Sequence, residues 1–370
     1  MTKARLLFPL VLCLFIGTLS AQDVHFTLHN MNPVWLNPAR TGAFLGTARI
    51  GGTYRGQWHS LSGINTPSIF ADAPIVRGFR ENDWVGVGFN FIQDNARQEF
   101  ATDGGLSKVQ TTIAGLSASY HLSLDDNRRN VITLGATYGR NSIALDLTGQ
   151  PLTEEQIASG LGGGGLSGTA LENLMADGDS KGYTDISAGL MLRSVLDPAR
   201  GNALELGVAL IHLNAPMRES IIPRGTGGGG PNPTPNPPAT GNQDDRKRLS
   251  TIHAHASLDY GLTDDWRFLP TVFFQNSANN SSVSLQAWAG RILKPDVMLK
   301  FGLGYRTADA GKVLFGLDYK DIQAAISYDV TLSQQREINN YQGAFELSAI
   351  YTIKIYKQPE VTPSLLCPRF

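Results

Sequence analysis

Apolar and polar positions alternate with a period of two along most of the chain beyond residue 47, the signature of strands with two unlike faces. Val297, Leu299, Phe301, Leu303 and Tyr305 are apolar, and Lys300, Gly302, Gly304 and Arg306 between them are polar or small. Ile322, Ala324, Ile326, Tyr328 and Val330 alternate with Gln323, Ala325, Ser327 and Asp329. Ile252, Ala254, Ala256, Leu258 and Tyr260 stand opposite Thr251, His253, His255, Ser257 and Asp259. The last run sets Phe345, Leu347, Ala349, Tyr351, Ile353 and Ile355 against Glu346, Ser348, Thr352 and Lys354. The pattern predicts about fourteen strands, near 47–58, 66–74, 83–94, 108–122, 130–147, 182–194, 202–213, 249–260, 266–277, 281–293, 297–306, 311–319, 321–330 and 343–356. Pro67 and Pro74 bracket the second, and proline fits poorly inside a ladder.

A soluble sandwich also alternates, with its apolar face inward, whereas a membrane barrel turns the apolar face outward. Three features favour the barrel. The strands run to about ten residues, the length a tilted membrane-spanning strand needs. Tyr260, Trp266, Tyr305, Tyr319, Tyr328 and Tyr356 sit near strand ends, as an interfacial aromatic girdle requires. Short turns such as 125–127, 197–201, 263–265, 294–296 and 320–321 alternate with the long connections 95–107, 148–181, 214–248 and 331–342. All four long connections fall on one side, which a barrel explains and a sandwich does not. The expected fold is all-β: a transmembrane antiparallel outer-membrane β-barrel over 47–356.

The start of the chain places this barrel in an exported protein. Lys3 and Arg5 precede the apolar run Leu6–Ile16, and Thr18, Ser20 and Ala21 offer a cleavage site, so 1–21 reads as a signal peptide. Cys13 is a poor lipidation site, since Leu12 before it is bulky and the apolar run continues beyond it. Cleavage leaves Cys367 alone, which excludes an internal disulfide. The formal net charge of -1 is spread without a basic block, so nothing points to nucleic acid. Forty glycines and 17% charged residues suit an all-β chain rich in turns. The connections 148–181 and 214–248 carry the runs Gly162–Gly165 and Gly227–Gly230, the second followed by five prolines up to Pro238. Such compositions bury too little apolar surface to offset their ordering entropy.

Candidate chemistry is sparse. His253 and His255 share a face and could begin a metal site, but two ligands do not complete one, and two polar lumen residues are the simpler reading. Gly302-x-Gly304 lies on a strand and opens no helix, so it lacks the phosphate-loop context. No Ser/His/Asp grouping emerges, no cofactor is implied, and the expectation is that the chain is not an enzyme. Asp185, Arg193, Glu205, His253, Asp259, Lys300, Arg306, Asp329, Glu346 and Lys354 project to the lumen with mixed signs, predicting no ion selectivity.

Both ends carry motifs outside this pattern. Gln22 and Asp23 open a lead-in, 22–46, containing Asn32-Pro33 and then Asn37-Pro38-Ala39-Arg40-Thr41-Gly42. Asn-Pro pairs mark turns, so the lead-in is expected to be periplasmic or plug-like. The first strand carries Tyr54-Arg55-Gly56-Gln57-Trp58, and a tail, 357–370, closes on Cys367-Pro368-Arg369-Phe370. With Leu317-Asp318-Tyr319, Ile326-Ser327-Tyr328-Asp329 and Gly343-Ala344-Phe345-Glu346-Leu347, these segments resemble the PorP/SprF family of Bacteroidetes outer-membrane proteins. The Gly- and Pro-rich connections depart from the family core. The resemblance implies a non-enzymatic barrel of the type IX secretion and gliding-motility system that helps export or anchor a surface adhesin. Its other implied partners are membrane lipid and periplasmic lipoprotein or ring components. It further implies that both termini are periplasmic and that Asn37, Pro38, Tyr54, Arg55, Gln57, Trp58, Cys367, Pro368, Arg369 and Phe370 are candidate partner contacts. A general porin or small-solute transporter is the alternative.

Overall fold

The computed structural model describes residues 24–57, 63–77, 80–99, 106–146, 179–216, 248–277, 280–333 and 341–355. Fourteen strands form one closed antiparallel barrel: β1 (Ala48–Gln57), β2 (Ile64–Arg77), β3 (Trp84–Glu99), β4 (Leu106–Ser123), β5 (Asn130–Asp146), β6 (Asp179–Asp197), β7 (Asn202–Ile211), β8 (Thr251–Gly261), β9 (Trp266–Ser277), β10 (Asn280–Lys294), β11 (Val297–Arg306), β12 (Ala310–Tyr319), β13 (Ile322–Thr331) and β14 (Gln342–Ile353). Each strand pairs with its sequence neighbours. β1 closes the ring on β14 from Ala48↔Ile353 to Gln57↔Ala344. Full closure leaves no unpaired edge, the condition for a sheet to sit in lipid. Among the described residues no helix is long and apolar enough to cross a membrane, which says nothing of strands.

The faces are inverted relative to a soluble sheet. Leu299, Phe301, Leu303 and Tyr305 face outward and are exposed, as are Ile322, Ile326 and Tyr328. His253, His255, Ser257 and Asp259 face inward and are buried. Tyr260, Trp266 and Tyr319 point outward at the short-turn rim, and Tyr305 and Tyr328 toward the other. Lys320 and Arg291 extend over the rings of Tyr319 and Trp266 at 5.4 and 5.7 Å, placing cations beside the interfacial aromatics.

The strands β3, β4 and β6 are longer than the pattern predicted, and β5 keeps its expected length. Each has 16 to 19 residues. β3 and β4 run on to Glu99 and back from Leu106, so the connection expected at 95–107 contracts to 100–105. β2 is also longer than expected, and both prolines lie inside it. It pays for them locally: pairing to β3 lapses between Asn65 and Ser68, and a bulge follows Pro74. Pro270 in β9 is handled likewise, with pairing to β8 lapsing between Thr271 and Phe268. A barrel has no free edge for a missing N–H, so each proline interrupts a ladder instead.

Candidate functional site: a lead-in folded into the lumen

The lead-in forms three short helical turns, His29–Met31, Pro33–Leu36 and Pro38–Arg40, and the two Asn-Pro pairs open the second and third. Proline at the first helical position is pre-set for a turn and sacrifices no hydrogen bond there. Asn37 caps the third turn, its Oδ1 accepting from Ala39 N at 2.9 Å. The turns lie inside the barrel. The lead-in joins β1 at the short-turn rim, and its described start lies in the opposite half, so the lead-in crosses the lumen. Both strand ends, Ala48 and Ile353, stand on the short-turn rim. From that rim the described part of the lead-in turns inward.

In the half nearer the long connections, the wall grips Thr27 and Leu28. The Glu346 carboxylate accepts from Thr27 N at 2.5 Å, from Leu28 N at 2.7 Å and from Arg55. Asp329 accepts from Thr27 Oγ1 at 2.7 Å and from Arg306 Nη2 at 2.9 Å, and Arg55 lies 3.5 Å away. Gln286 Nε2 donates to Thr27 O at 2.6 Å. These charges are fully buried, so each depends on its partners. Midway, a small apolar core forms: Leu28, Met31 and Val34 pack with Phe70, Leu314, Ala325, Ile350 and Trp288. Trp35 meets Phe26 and His253 at 5.0 and 5.1 Å, and His29 stacks on Phe273 at 5.0 Å. Burial holds His29 well below its usual pKa, with Lys312 and Arg40 adding to the effect.

Asn37 docks in a glycine trough. Its Nδ2 donates to Leu190 O at 3.2 Å and Val208 O at 3.4 Å and lies 3.2 Å from His255 Nε2. A Cβ on Gly135 would lie 2.4 Å from Ala39 N, and one on Gly189 would lie 1.9 Å from Asn37 Oδ1. Only glycine lets the lead-in backbone approach this closely. His253 Nδ1 donates to Leu36 O at 3.1 Å, and Arg40 pairs with Glu205 at 3.0 Å. At the short-turn end, Thr41 O accepts from Ser119 Oγ at 2.6 Å, Gly42 N donates to Asp72 at 2.7 Å and Trp84 Nε1 donates to Gly42 O at 3.0 Å.

The residues singled out in the sequence separate accordingly. Asn37 and Pro38 are buried in the trough and Arg55 in the charge network, all three engaged within the chain itself. Tyr54 faces outward and Gln57 ends β1. Trp58, Tyr356, the cleavage segment and Cys367–Phe370 lie outside the described residues. His253 and His255 both face the lumen and serve the lead-in, and among the described residues no grouping of His, Cys, Asp or Glu could hold a metal. Among the other lumen charges, Asp259 pairs with Arg267, Lys300 with Asp318 at 2.6 Å and Asp185 with His212 at 2.8 Å. Sequence reasoning missed Phe70, Phe273, Leu314 and Ile350. Each is apolar where the strand phase calls for a polar residue, and that break was the available signal.

Residues 18–351 match the family described as type IX secretion system membrane protein PorP/SprF. Among curated proteins no relative matches the chain. Similar solved structures include the Ralstonia pickettii toluene transporter TbuX, at 10% identity over 87% of this chain and 93% of that one, with a TM-score of 0.49. They include the Pseudomonas putida toluene transporter TodX, at 11% over 86% and 91%, TM-score 0.48, and a Pseudomonas aeruginosa FadL homologue, at 14% over 85% and 92%, TM-score 0.45. At these values they say nothing about what this barrel carries. The family match spans nearly the whole chain, and the chain belongs to the PorP/SprF family of type IX secretion system outer-membrane proteins.

Proposed function

We propose that this barrel is a non-enzymatic outer-membrane component of the type IX secretion and gliding-motility system that helps export or anchor a partner surface protein. The observation that carries the reading is the lead-in, which occupies the lumen of a barrel belonging to a secretion family. A general porin needs an open aqueous path, so the filled lumen weighs against that alternative. On this reading the long connections face the exported adhesin. The short-turn rim and the tail ending in Cys367–Phe370 face the periplasmic lipoprotein and ring components. Deleting the gene and comparing surface and secreted proteins by mass spectrometry tests it. One or a few large surface proteins should vanish from the cell or leak into the medium. An unchanged surface proteome with reduced uptake of a small solute would replace this reading with the transporter.

A further inference from the structure

In the half nearer the long connections, a cavity of about 60 Å³ lies between the lead-in and a stretch of wall centred on β3 to β6. Val24, Val34, Trp35 and Pro38 line it from the lead-in. Its floor is a single row across four strands, Asn90, Gly115, Gly139 and Asp185, each paired with the next. Gly135 and Gly189 are small because the lead-in backbone lies on them, and these two glycines differ. The atoms nearest a Cβ on Gly139 would be Ala114 O, Gly115 Cα and Ala114 C, at 2.8, 3.5 and 3.6 Å. Those nearest one on Gly115 would be Asn90 Oδ1 and Thr137 Cγ2, both at 2.8 Å. All of them belong to the wall, so here the glycines leave the space above the sheet open.

Four oxygens of residues lining this space are buried and meet no donor among the described residues: Asn90 Oδ1, Thr137 Oγ1, Asn141 Oδ1 and Asp185 Oδ1. Asn141 is 1% exposed, and Asn90 and Asp185 are each 7% exposed. Asn141 Nδ2 donates to Asp185 Oδ2 at 3.0 Å, which sets the direction of its amide. Asp185 Oδ2 also accepts from His212 Nδ1 at 2.8 Å, and Arg248 Nε donates to His212 Nε2 at 2.7 Å. The charge of Asp185 is thus already answered. What the site leaves over is lone pairs, and a neutral hydrogen-bond donor suits them better than a cation. Buried polar atoms are seldom left unpaired. Small-molecule sites begin at about 300 Å³, far above this volume, whereas a water needs only about 10–15 Å³. We propose that the cavity is a hydration site built into the wall, holding about four long-lived waters that bridge the four oxygens beneath the lead-in. The lead-in is then seated dry against Phe70, Leu314 and Ile350 on one side of the ring and on water on the other.

Water-to-protein NOE spectroscopy of the purified full-length barrel in lipid nanodiscs tests this. Cross-peaks with the sign of tightly held water are expected from the water resonance to the Asn141 side-chain amide and the Thr137 methyl protons. Asn90→Leu keeps roughly the side-chain volume and removes one of the four oxygens. With water in the site, that change breaks a bond to it, so the unfolding midpoint should fall and the peaks at Thr137 and Asn141 should weaken. In a dry cavity the same change deletes an unpaired polar atom and raises the midpoint. Thr137→Val exchanges a hydroxyl for a methyl group and should act in the same direction, which serves where Asn90→Leu does not fold. Absent water peaks in the wild type, peaks from a co-purified solute in their place, or unchanged peaks with a raised midpoint in the variants would each overturn the proposal.

Discussion

Adding one methyl group at Gly135 should unseat the lead-in while leaving the barrel whole. The new Cβ would lie 2.4 Å from both Ala39 N and the Pro38 carbonyl carbon, and 2.5 Å from Pro38 O. All three are backbone atoms of a rigid turn, so no side-chain rotation relieves the overlap. Asn37–Ala39 must rise by roughly 1 Å to regain ordinary contact. The movement breaks the Asn37 Nδ2 bonds to Leu190 O and Val208 O and stretches the bond from His253 to Leu36 O. At about 1 kcal/mol net for each, the docked state loses roughly 3 kcal/mol, about a hundredfold in population. Within the wall, alanine replaces glycine in a ladder opposite Ser119 and Gly189 without cost to the pairing. Hydrogen exchange over 24–46 should therefore accelerate and conductance in planar bilayers should rise. Heat-modifiable migration should still report a folded barrel. Gly311→Ala is the control, because its Cβ would meet only Leu332 Cδ1, at 3.5 Å. Unchanged exchange and conductance in Gly135→Ala, or equal effects in the control, would refute the reasoning.

Three further outcomes are expected. Glu346→Ala strips the Thr27 and Leu28 amides and Arg55 of their shared acceptor, and stranding a buried charge costs about 3–5 kcal/mol; limited proteolysis should then cut within 24–31 in the variant and not in the wild type. His29 is held below its unfolded pKa of about 6.5, so the seated lead-in gains stability above that pH and loses it as pH falls toward the folded value. Exchange over 24–31, corrected for intrinsic rates, should rise from pH 7 to pH 5, and His29→Phe should reduce the rise, with His25 carrying the remainder. Asp125 is lowered by backbone and side-chain donors at Arg129 and Asn130, so the β4–β5 turn is stabilised above the ordinary carboxylate range and loosens as pH falls through the lowered value. NMR shifts of the Arg129 and Asn130 amides should follow that titration, and Asp125→Asn should remove it.

The barrel was legible because its rule is local. A strand that faces lipid on one side and lumen on the other writes its period into every second residue, as Leu299, Phe301 and Leu303 do. The segregation of long and short connections likewise needs only counting. The lead-in was legible as turns, from its Asn-Pro pairs, but not as the filling of the lumen. That depends on which wall residues meet across the ring, and Asn37 reaches Leu190, Val208 and His255 through 153, 171 and 218 residues of sequence. The hints were the lumen-phase residues that break the rule in both directions. Phe70, Phe273, Leu314 and Ile350 are too apolar for water, and Gly135 and Gly189 are too small for an ordinary strand. Proline misled for a related reason. Pro67 and Pro74 argued for a short second strand, whereas a closed ring tolerates them by letting one ladder lapse.

The first and last strands meet along a join that no other pair of neighbours resembles, since nearly the whole chain separates them. Closing it comes last in chain order, and contacts so distant form slowly. The charge network sits across this join. Arg55 belongs to β1, Glu346 to β14 and Asp329 to β13, and Thr27 binds both carboxylates from within. The same few atoms that seat the lead-in therefore clasp the two ends of the sheet together, as a buckle holds a belt. Drawing the lead-in out would do more than clear a passage: it would weaken the barrel where it would part sideways into the lipid.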